Sequence, residues 1–223
     1  MRQLLLDLLP EGAQDFDHFV PGPAREAIEA LSGHVLSPRE PLIYLWGPAG
    51  SGKTHLLHAT ALLAEKHGLP TCHLPAGAAL PENLPATLTL VDDVDALSDA
   101  DQIRLFRYIN QAREGKGRLV CAGHDTVRHL GVRPDLASRL GWHLVYQIQP
   151  LSDADKPAAL AQWAQSRGFR LDDALIGYLM THWRRDLPSL IQMLERLDRY
   201  SLQNRRPVSL PLLRAVLSSP ETA

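Results

Sequence analysis

Residues 47–54 read GPAGSGKT, and their types and spacing define one kind of chemistry. Gly47, Gly50 and Gly52 free the backbone to wrap closely, and with Pro48, Ala49 and Ser51 between them successive N–H groups converge on one point. The motif lies between an apolar run, PLIYLW, and a helical pattern that starts near Lys53, so the positive end of a helix faces the same point. Lys53 brings a cation and Thr54 a hydroxyl. Together they suit the β- and γ-phosphates of ATP, or the β-phosphate of ADP, with Mg²⁺ held by Thr54. A carboxylate must complete the shell of that ion, and TLTLVDD supplies Asp92 directly after a buried strand. Asp93 is then placed to hold or polarise an attacking water; the alternative is a solvated loop carboxylate. Asp95 and Asp99 read as a loop residue and a helix N-cap.

These groups need a scaffold that brings strand ends together. PAREAIEAL has helical spacing, with Pro23 near its start and Gly33 after its last apolar turn. Strands are expected at PLIYLW, PTCHL, TLTLV, RLVCA and HLVYQIQ, with a helical run over 53–67 after the first, a Pro- and Gly-rich loop over 75–85 after the second, and helical patterns between the last three, shorter before HLVYQIQ. Continuous apolar strands alternating with helices argue for a parallel sheet covered on both faces. After Pro150 the strand signal stops, and 153–167, 172–181, 186–203 and 208–218 read as helices. The expected organisation is a tail over 1–12, an α/β unit over 13–150 and a small helical unit over 151–223.

Composition narrows the rest. With 23 basic and 25 acidic residues in 223, bulk charge does not mark a nucleic-acid binder. Cys72 and Cys121 lie in apolar runs and read as buried reduced thiols, which fits the cytoplasm. His55 and His58 share a helix face, but no carboxylate completes a metal set there. The opening MRQLLLDLLP is too short and too interrupted for a signal peptide, and nothing approaches the roughly 20 apolar residues of a membrane span.

Beyond the phosphate motif, three stretches carry a family likeness: FDHFVPG at 16–22, LIYLWGPAGSGKTHLLHA at 42–59 and PDLASRLGWHLVYQIQPLSDADK at 134–156. They resemble the AAA+ module of the DnaA family, the bacterial replication initiators and their shorter homologues of the Hda type. The resemblance implies a P-loop α/β subdomain with a parallel five-stranded sheet, followed by an all-helical lid. Residues 16–22, Val20 among them, would wall the adenine pocket. Arg139 matches the arginine finger that acts on a neighbouring subunit's nucleotide. Arg185 matches sensor II, which touches the phosphates of the chain's own nucleotide. Each arginine also has a plainer reading: Arg139 as a cation at a helix C-terminus, Arg184 and Arg185 as a solvated pair before an N-cap at Asp186. The GHD at 123–125 departs from the family's sensor I pattern, and that role is left unassigned.

The chain is expected to lack both the long amino-terminal domain of the initiator and its DNA-reading carboxyl-terminal domain, which leaves the Hda-type architecture. That resemblance gives the opening residues a meaning. QLLLDL at 3–8 matches the peptide with which such proteins enter the pocket of the DNA polymerase sliding clamp (the beta subunit). Gln3 hydrogen-bonds at the rim, and Leu4, Leu6 and Leu8 are anchors; the alternative is packing against the chain's own first helix. The implied function is negative regulation of replication initiation: bound to DNA-loaded clamp, the protein stimulates hydrolysis of ATP on DnaA through Arg139. Its partners would be DnaA and the clamp, with DNA reached only through the clamp, no membrane, and homo-oligomer formation left open. A P-loop with Lys53 and Asp92 intact leaves a weak ATPase of its own open. The rival is a helicase-loader ATPase of the DnaC type.

Overall fold

A computed structural model describes residues 15–16, 19, 24–37, 40–84, 86–150 and 151–218. They form two compact units, divided between Pro150 and Leu151.

The first unit is built on five parallel strands: β1 (Leu42–Trp46), β2 (Thr71–Leu74), β3 (Leu88–Val91), β4 (Arg118–Gly123) and β5 (Leu144–Gln147). Their order across the sheet is β2-β3-β4-β1-β5. Because side chains alternate, β1 sends Ile43 and Leu45 to one face and Leu42 and Tyr44 to the other. β4 divides Val120 and Ala122 from Leu119 and Cys121 in the same way. One face is covered by α1 (Arg25–Leu36) and α2 (Lys53–Lys66), the other by α3 (Asp99–Arg113) and α4 (Pro134–Leu140). Double burial of the three inner strands, β1, β3 and β4, is why they read as unbroken apolar runs.

Several local expectations are corrected. α1 runs through Gly33 to Leu36, because Ala27, Leu31 and Val35 keep one buried face going. That burial outweighs the roughly 1 kcal/mol a helical glycine costs. The N-cap of α3 is Ser98, whose hydroxyl accepts from Asp101 N–H; Asp99 is already helical. β5 is an edge strand, with Leu144 and Val145 each more than a third exposed. Cys121 is fully buried but Cys72 only partly.

The second unit consists of α5 (Lys156–Ser166), α6 (Asp173–His182), α7 (Leu187–Asn204) and α8 (Leu210–Ser218). α5 starts later than expected because Ser152 to Asp155 form a turn closed by the Ser152 hydroxyl and the Asp155 carboxylate at 2.6 Å. Asp172 and Asp186 cap α6 and α7 by accepting the N–H groups of Leu175 and Ser189. The core collects Leu160, Leu175, Leu179, Leu190, Leu194 and Leu213. Among the described residues no helix is long and apolar enough to cross a membrane.

Candidate functional site

The GPAGSGKT loop leaves β1 and enters α2 with its backbone pressed close to neighbouring chain. A Cβ on Gly47 would lie 2.1 Å from the carbonyl oxygen of Ile148, so only glycine fits. Gly50 and Gly52 hold positive φ of 75° and 101°. A Cβ on Gly52 would also meet the Phe19 ring, which stands edge-on to His55. Gly52 caps α2 without any side chain, and the first turn of the helix carries no acid. Its leading N–H groups are therefore available to an anion.

Lys53 is 5% exposed, and its ammonium donates to the carbonyls of Gly47 at 2.7 Å and Pro48 at 3.0 Å. Burial pulls its pKa down, while Asp93, Asp92 and Asp95 pull it up. A cation folded over its own loop, with buried Ser51 Oγ unpartnered beside it, is a cradle of positive charge with a polar atom still unsatisfied.

Asp92 is 4% exposed at the end of β3, and Thr54 Oγ1 donates to its Oδ2 at 2.7 Å. The other carboxylate oxygen accepts the N–H of Asp93. A hydroxyl and a buried carboxylate in contact beside a phosphate cradle make an oxygen donor set suited to Mg²⁺. Thr54 and Asp92 are the residues that would hold the ion, which when bound neutralises phosphate charge. The next residue, Asp93, takes a left-handed backbone with φ 44°, which aspartate tolerates better than most. Burial, and then the negative charge of Asp92, raise its pKa; His124 and Lys53 oppose the shift.

Two further residues belong to this locality. β4 lies between β3 and β1, so its exit at Gly123 and His124 emerges between the Asp92–Asp93 pair and the loop. Asp95, expected as a loop residue, sits in a single 3-10 turn over Val94–Ala96 and accepts both the backbone N–H of His124 at 3.0 Å and its Nδ1 at 2.6 Å. His124 Nδ1 also stands 3.7 Å from Asp93 Oδ1. The family pattern does not call for a histidine there; the strand order is the signal that points to it.

The arginines fall elsewhere. Arg139 is in the last turn of α4, its guanidinium 3.9 Å above the ring of Trp142 and 5.2 Å from that of Phe106. Arg185, in the helical unit, lies 3.4 Å from Asp153 and is 62% exposed. Arg184 reaches the Asp186 cap at 3.4 Å. Gln3, Leu4, Leu6, Leu8 and Val20 lie outside the described residues.

Comparison with known proteins agrees with this geometry. Residues 153–217 match the family model of the Hda lid domain. Domain III of the replication initiation protein DnaA of Thermotoga maritima superposes with a TM-score of 0.79, at 20% identity over 92% of this chain and 95% of that one. AMPPCP-bound DnaA of Aquifex aeolicus gives 0.67 at 23% identity, over 86% of this chain and 67% of that one. The RuvB Holliday junction branch migration motor of Thermotoga maritima also gives 0.67, at 14% identity over 92% of this chain and 71% of that one. The sheet that carries the phosphate loop thus has the AAA+ fold of DnaA domain III, and the helical unit after it is similar to the lid domain of the Hda family.

Proposed function

We propose that this DnaA-related replication regulator acts negatively, accelerating hydrolysis of the ATP held by DnaA by inserting Arg139 into the initiator's site. The observation that carries this reading is the state of Arg139. Its Nη1 is buried without a hydrogen-bond partner, and its guanidinium is held by aromatic rings rather than by a carboxylate. A cation kept unneutralised in this way retains its affinity for developing phosphoryl charge. An arginine finger is worth about 10³- to 10⁵-fold in rate, or roughly 4 to 7 kcal/mol of barrier.

The chain's own site would hold ATP or ADP with Mg²⁺ at Thr54 and Asp92, and Arg185 would reach the phosphates of that nucleotide. The AMPPCP-bound relative supports the binding. Slow turnover there is consistent with Asp93, whose raised pKa suits a proton acceptor for water. Residues 3–8 would deliver the protein to DNA-loaded sliding clamp in the cytoplasm, so that DNA is met only through the ring.

The test is phosphate release from ATP-loaded DnaA in the presence of clamp, DNA and this protein. Wild type accelerates release, and Arg139→Ala loses the acceleration while still binding nucleotide. Equal release with Arg139→Ala and wild type would remove the trans finger.

A further inference from the structure

A finger must be held in one direction without being used up, and the surroundings of Arg139 meet both needs. Its long side chain carries about 2 kcal/mol of rotamer freedom that docking would otherwise have to remove. A carboxylate partner would restrain it but would also consume its charge and its in-plane donors. An aromatic face restrains it and consumes neither, because the ring takes the flat of the guanidinium and leaves the N–H groups at its edge.

That is the arrangement here. Trp142 stands 3.9 Å from the Arg139 guanidinium carbon, and Phe106 of α3 lies 5.2 Å from it. The chain geometry fixes the pair: α4 ends at Leu140, Gly141 N–H donates to Ala137 O, and Trp142 N–H donates to Arg139 O at 3.2 Å, so the tryptophan is curled back over the arginine three residues before it. Trp142 is 51% exposed, which is more than a residue needed only for the core would be. Arg113, at the end of α3, places a second guanidinium 4.8 Å from the same ring. An anionic acceptor approaching Arg139 therefore meets two cations on one indole.

We infer that Trp142 is the positioning residue of Arg139, a seat that fixes the direction of the guanidinium while leaving its charge, and its donors other than the buried Nη1, for an anionic oxygen on a partner. The inference rests on the trans-finger reading for its consequence in catalysis, but the seat itself is a property of the free protein.

The experiment uses the full chain and the substitutions Trp142→Leu and Trp142→Phe, compared with Arg139→Ala. In the free protein, protons held over an indole face are shifted upfield, so the Arg139 Nε–H resonance is expected upfield in wild type. Trp142→Leu should return it to the ordinary position and Trp142→Phe should leave it between the two. In stimulated phosphate release from ATP-loaded initiator, Trp142→Leu should lower the maximal rate by about 5- to 30-fold with the half-saturating concentration unchanged, and Trp142→Phe should restore most of it. A full maximal rate in Trp142→Leu overturns the inference while leaving the finger in place, provided Arg139→Ala is inactive. A changed half-saturating concentration with an unchanged maximal rate also overturns it, making Trp142 a docking contact. If Arg139→Ala stimulates like wild type, the proposed function falls. The seat is then decided by the resonance alone, and an Nε–H unmoved by Trp142→Leu sinks it.

Discussion

Burial sets the behaviour of single groups in this protein as much as sequence motifs do. Burial pulls the pKa of Lys53 down against the three aspartates around it, and burial raises that of Asp93. Far from the loop, His34 on α1 is 3% exposed, with its Nε2 unpartnered. Burial, and then the charge of Arg118, lower its pKa from 6.5 to about 4; Glu40 and a backbone contact with Leu119 oppose the shift. Above the upper value the ring is neutral in both folded and unfolded chains and has no effect on stability. As pH falls below it, the unfolded chain takes a proton that the fold refuses until about pH 4, so the fold loses stability throughout this window. The loss approaches about 3 kcal/mol at its lower end. Thermal melts across that range should fall for wild type and flatten for His34→Leu; parallel curves would show that other groups carry the acid sensitivity.

At the scale of elements, the glycines separate into those a turn requires and those it does not. Gly47 lets the loop pass against the backbone beyond β5, where a Cβ would lie 2.1 Å from Ile148 O. Neither partner is a flexible side-chain end that could swing away. Gly47→Ala should therefore lower the melting temperature and abolish nucleotide binding measured by titration with a fluorescent ATP analogue. Gly33 is the opposite case: it lies inside α1 with nothing within 4 Å of an added Cβ. Gly33→Ala should stabilise by about 0.5 to 1 kcal/mol through helix propensity, read as a higher denaturation midpoint. The apolar periodicity that marks α1 was legible in the sequence, but its end was not. Glycine reads as a stop only when no buried face continues beyond it, and here Val35 continues it.

For the whole molecule, the proposed function separates delivery from chemistry. In that reading residues 3–8 would concentrate the protein on the clamp and Arg139 would lower a barrier, so the two should fail differently. Gln3→Ala should weaken capture by immobilised clamp and reduce stimulation of DnaA hydrolysis at low protein concentration, with the loss recovered as concentration rises. Arg139→Ala should not be recovered at any concentration. A Gln3→Ala variant captured as well as wild type would exclude that glutamine from clamp recognition.

The glycine-rich loop, the acid Asp92 at the end of a buried strand and the change from strands to helices after Pro150 follow from local sequence. Each rests on residue type at short spacing: glycines that permit a turn, a lysine at a helix start, an acid after a buried strand. What only the tertiary structure decided involves residues far apart in the chain. The sheet order inserts β4 between β3 and β1 and so brings His124 to Asp93 and Asp95. The packing of α3 beside α4 puts Phe106 and Arg113 around Arg139 and Trp142. Local spacing can determine a turn or a cap, because a few bonds fix both ends. It cannot determine which strand edges become neighbours, since that depends on how all the apolar faces are buried together.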